Sequence, residues 1–89
     1  MDSAEFEAKL EEAGYREIGT RTMESRPANG EHTHEFSVRG LVTSGEFIIA
    51  FDGVPRSFKA GQIFDVAAGQ RHSEAVGADG AIIITGRMY

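Results

Sequence analysis

The chain has no cysteine and no tryptophan, and only two prolines in 89 residues. The missing cysteine excludes disulfides and thiolate metal sites as supports for the fold. That matters here, because a domain of this size buries only about 60–65% of the surface its unfolded chain exposes. The remaining supports are a metal held by nitrogen and oxygen ligands, or a partner subunit. Positive charge is scarce too. Nine Lys and Arg stand against fourteen Asp and Glu, a net charge of −5. With no basic patch to replace counterions, nucleic acid is not an expected partner. No apolar run approaches the roughly 18–20 residues that span a bilayer, so a membrane is not expected either. The acidic opening Met1-Asp2-Ser3-Ala4-Glu5 has the character of neither a signal nor a transit peptide, and a cytoplasmic location is the expectation.

Glycine, by contrast, is abundant, at eleven residues. Its placement divides the chain. Residues Ser3 to Ala13 read as one short helix. Asp2 or Ser3 can cap it, Glu5 suits the first turn, and Phe6, Leu10 and Ala13 fall on one stripe. Gly14 stands where a left-handed C-cap is wanted. After Gly14 the helical period disappears. Tyr15 to Arg26 alternates weakly as a strand. Short apolar segments then follow one another, punctuated at Ser44-Gly45, Asp52-Gly53, Lys59-Ala60-Gly61, Ala67-Ala68-Gly69-Gln70 and Gly77-Ala78-Asp79-Gly80. Strands at this spacing predict an all-β barrel or sandwich, with residues 1–14 as a helix packed on a barrel of residues 15–89, one domain overall.

All three histidines lie in the β part. In His32-Thr33-His34 the two imidazoles sit at i and i+2, which a strand places on one face. Neutral imidazole is the commonest ligand for divalent transition metals. His72 opens another predicted strand. Closure of the sheet into a barrel would let three nitrogens converge. On spacing alone, two exposed polar residues beside a loop and an unrelated third histidine explain the pattern equally well.

The sequence around the histidines resembles the cupin family. Gly30-Glu31-His32-Thr33-His34 looks like the core of the first cupin motif, with a shorter gap after the glycine than the family usually has. Gly61 to His72 looks like the second, G-x5-P-x-G-x2-H, with Ala67 in the proline position. Leu41 to Phe47 resembles the Gly-Glu turn between them. The resemblance spans roughly Gly30 to Arg87 and implies a small jelly-roll β-barrel. It also implies a divalent metal ion (Zn, Fe, Mn or Ni) held by His32, His34 and His72. The glutamate of the first motif is missing, its positions being Val38 and Arg39, and the asparagine position of the second is Val76. Glu74, two residues from His72, can face the same interior and ligate a metal, pair with Arg39 or act as a base. Phe36 continues the alternation of the histidines and is expected to line the site. Arg39, if it points inward, suits a small carboxylate or phosphate. Small cupins commonly form homodimers, and an exposed Phe6/Leu10 stripe would serve that purpose. The functional expectation is metal binding with a small-molecule ligand, enzymatic or not. The alternative is a non-catalytic binding or dimerisation barrel with a vestigial site.

Overall fold

A computed structural model describes all 89 residues. Helix α1 spans Ser3–Glu12. The Asp2 carboxylate accepts the Glu5 N–H at 2.8 Å, and this bond holds the carboxyl below its usual range. The helix ends at Glu12, one residue before the expected Ala13, which caps it. Gly14 then takes φ +91°, and the Tyr15 N–H reaches back to the Leu10 carbonyl. The apolar stripe is not exposed. Phe6 and Leu10 are 2% and 1% accessible and pack on Leu41 and Ile84 of the sheet, with Tyr15 and Ile18 at the margin. The stripe therefore covers the chain's own barrel, and the ground it offered for a homodimer is withdrawn. Leu10→Ala is expected to cost about 2–5 kcal/mol of stability, measured by urea unfolding.

Five strands follow: β1 (Arg16–Met23), β2 (Ser37–Phe51), β3 (Val54–Lys59), β4 (Ile63–Val66) and β5 (His72–Met88). All pairings are antiparallel, in the order β1-β5-β2-β3, with β4 beside the first half of β2. Asp52-Gly53 forms the expected two-residue hairpin. Both residues have positive φ, +51° and +77°, as a turn matched to strand twist requires.

Two expected turns are not turns. Ser44-Gly45 lies inside β2, and Gly77 to Gly80 lie inside β5. Both sites are bulges, where the β2/β5 register shifts. Their physical purpose is visible in the side chains. Before the bulge, Val42 faces the inner core; after it, Phe47 and Ile49 do. In β5, Val76 precedes the bulge and Ala81 and Ile83 follow it, all in the same core. A strict two-residue period would have turned one half of each strand outward, and the bulges reverse the parity. Adjacent residues such as Leu41/Val42 and Ile83/Ile84 then serve two cores, one inside the barrel and one under the helix.

Candidate metal centre

His72 stands at the first position of β5, opposite Phe51 of β2. On its other side it forms one antiparallel bridge with His32, closed by backbone hydrogen bonds of 2.9 and 3.0 Å. Directly opposed residues share a face, so these two rings meet, with centroids 4.4 Å apart. His34 follows in irregular chain, tied by its carbonyl to the Gly69 N–H at 2.8 Å. The expected regular strand under His32-Thr33-His34 is thus absent, yet the two rings still share a side, 5.0 Å apart. Glu74 comes next on the same face of β5. The ligand atoms of His32, His34, His72 and Glu74 all lie within 4.8 Å of one another. Tetrahedral ligands at about 2.1 Å from one ion are about 3.4 Å apart, so small side-chain rotations close the set.

The hydrogen bonds around the rings select the ligating form. Nδ1 of His72 lies 2.9 Å from the Gln70 carbonyl, and Nδ1 of His32 lies 2.9 Å from the Gly30 carbonyl. A carbonyl only accepts, so each Nδ1 carries the proton, and in the neutral ring Nε2 keeps a free lone pair. Carbonyl partners of this kind commonly fix metal-ligating histidines. His72 is 0% exposed, and its Nε2 has no hydrogen-bond partner. A Glu74 carboxylate oxygen lies 3.4 Å from it. Two acceptors facing each other, one of them fully buried, call for a cation or a proton between them. The donor set of three imidazoles and one carboxylate suits a divalent transition metal.

A cavity of about 530 Å³ opens beside the cluster, and His34, His72, Glu74, Phe36 and Val38 line it. Phe36 stands where the alternation places it, stacked on His34 at 4.8 Å. Arg39 does not reach this cavity. It lies on the outer face of β2, 44% exposed, and its Nε donates to Asp65 at 2.8 Å, which raises its pKa further. Its expected role as a ligand-binding residue is withdrawn. Three other arginines line the cavity instead: Arg21, Arg26 and Arg87. The sequence reading missed them, along with Asn29, whose Oδ1 accepts the Glu74 N–H at 2.8 Å. Arg26 steadies Glu74 as well, donating to its carbonyl at 3.1 Å and lying 3.7 Å from its carboxylate.

No protein-family model and no curated protein sequence matches the chain. Solved structures do match it in shape. A cupin-2 domain protein from Shewanella frigidimarina superposes with a TM-score of 0.69 at 18% identity, over 81% of this chain and 69% of its own. An RmlC-like cupin from the same organism gives 0.66 at 26% identity, over 81% and 65%. The EutQ protein of Clostridium difficile gives 0.71 at 23% identity, over 89% and 60%. The chain is folded as a small cupin-type domain, an antiparallel barrel with one short helix. It spans 60% to 69% of the length of these three neighbours. No helix is long and apolar enough to cross a membrane.

Proposed function

We propose that this cupin-type domain binds one divalent metal ion through His32, His34, His72 and Glu74, and presents it to a small molecule in the adjoining cavity. The observation that carries this reading is the orphaned, fully buried Nε2 of His72, 3.4 Å from a Glu74 carboxylate oxygen. Glu74 supplies from β5 the carboxylate that Val38 and Arg39 do not supply from β2. A metal bound there would act as a Lewis acid toward a ligand oxygen or lower the pKa of a bound water. The chain's own residues fix the rings, exclude solvent from His72 and shape the cavity. Metal analysis of protein purified without chelator or added ions, followed by zinc titration calorimetry, tests the reading. One equivalent per chain is the expected result; no heat and no retained metal would contradict it.

Acid should weaken the site. Burial, with His72 and His32 alongside, holds the His34 pKa below the ordinary imidazole range, against the opposing pull of Glu74. Its folded value lies below its unfolded one, so the unfolded chain binds the extra proton. Metal-free stability from this group is therefore complete above the unfolded value of about 6.5, and is lost as pH falls through the folded value. Protons also compete with the metal for the three rings. Zinc affinity measured from pH 8 down to 5 is expected to fall by orders of magnitude, most steeply below about pH 6.

A further inference from the structure

The charge around the cavity runs opposite to that of the whole chain. Acids outnumber bases fourteen to nine overall, yet three arginines and only two glutamates, Glu17 and Glu74, line this wall. Two of the arginines are engaged. Arg26 lies 3.7 Å from Glu74. Arg87 lies 3.7 Å from Glu17, with its guanidinium 4.3 Å over the Phe36 ring. Arg21 makes no ion pair. Its place in β1 is fixed by register: it pairs with Ile83, which is 2% exposed and part of the inner core, and it shares a face with Met23, which packs on that core. An arginine at such a position stands over the concave side of the barrel, not the outer one.

We propose that the cavity takes a small organic monocarboxylate, with Arg21 as its anchor. The inference rests on the reading of this cavity as the ligand site and names the class of ligand. A guanidinium offers a planar fork that pairs with a carboxylate through two parallel N–H donors. In the metal-free protein, where Glu74 faces Arg26 and Glu17 faces Arg87, two of the three positive charges are offset and one is left, which matches a monoanion better than a phosphate carrying nearly two charges. Val38, Phe47, Phe64, Val66 and Ile83 give the cavity an apolar floor for the body of the ligand. The volume of about 530 Å³ is that of an ordinary small-molecule site.

Benzoate, benzamide and phenyl phosphate are matched probes, and the methyl NMR signals of Ile83, Val38 and Val66 report binding inside the barrel. Benzoate is expected to shift these signals saturably, with benzamide and phenyl phosphate each weaker. Arg21→Gln should weaken benzoate by about tenfold or more, since it removes a charge-assisted bidentate pair. Arg21→Lys should recover part of the loss. Arg39→Gln, on the outer face, should change nothing. The proposal is overturned if benzoate leaves the Ile83 signals unmoved at millimolar concentration. It is equally overturned if benzamide binds as tightly as benzoate, if phenyl phosphate binds more tightly, or if Arg21→Gln binds benzoate like the wild type. Cobalt binding, read on the same wild-type samples, reports the histidine cluster separately. Cobalt left unbound would remove the metal reading while the benzoate result stands on its own.

Discussion

His72→Phe is expected to abolish metal binding while leaving the metal-free protein at least as stable as the wild type. The two effects have opposite signs because His72 carries a buried polar atom that only a cation or proton satisfies. Replacing an unsatisfied buried acceptor with an apolar ring removes its desolvation cost, and this offsets the crowding from a ring one atom larger. The Nδ1–H bond to the Gln70 carbonyl is lost, but Gln70 is exposed and its carbonyl can turn to water. Phe51, with its ring 6.4 Å from His72, offers the new side chain an aromatic neighbour. The metal side of the experiment has a large readout. At a zinc concentration of about 100 times Kd, the wild type should gain about 2.7 kcal/mol. In a domain of this size that is a rise in Tm of roughly 10–20 °C. Thermal melts with and without zinc should show the rise in the wild type and none in His72→Phe. A large drop in the metal-free Tm of the variant would show that His72 is a satisfied core residue.

Gly45→Ala is expected to be the most damaging single methyl addition, costing roughly 2–4 kcal/mol from backbone strain and steric overlap together. Gly45 has φ +76°, a conformation L-residues rarely adopt. A Cβ there would run into the backbone carbonyl of Gly80 on the neighbouring strand, which cannot swing aside as a side-chain tip can. Gly80 is itself at φ +75° and closes the β5 side of the same bulge. The damage should not stay local. This bulge brings Val42, Phe47 and Ile49 to one inner core and thereby sets the face on which His72 and Glu74 stand. Urea unfolding should show the loss, and zinc affinity should fall with it. By comparison Gly53→Ala, with open space around its Cβ, bears strain without collision and should cost less.

His32, His34 and Phe36 share a side, and one more step on the same parity reaches Val38, which lines the cavity. Arg39 is then on the other side, where Asp65 holds it. Strand parity alone places Arg39 outward, although the family's glutamate position falls on it. The bulges were not legible in the same way. A glycine with positive φ looks identical in sequence whether it makes a turn or a bulge, and only a long partner strand distinguishes them. Ser44-Gly45 and Gly77 to Gly80 became bulges because β2 and β5 pair along nearly their whole lengths. Arg21 was hidden for a related reason. Tyr15 to Arg26 alternates weakly, and the inner face of β1 emerges only from its register with Ile83. Arg26 and Asn29 reach Glu74 through bonds across a loop, which no local pattern encodes.

Three histidines and one glutamate are proposed to hold a single metal ion inside the barrel. Anomalous diffraction at the zinc edge, from crystals grown with zinc, locates that ion. One peak is expected inside the barrel, within about 2.0–2.2 Å of an imidazole nitrogen of His32, His34 and His72 and of a Glu74 oxygen. Zinc found only on the surface, or a cluster whose rings stay unligated at saturating zinc, would contradict the claim.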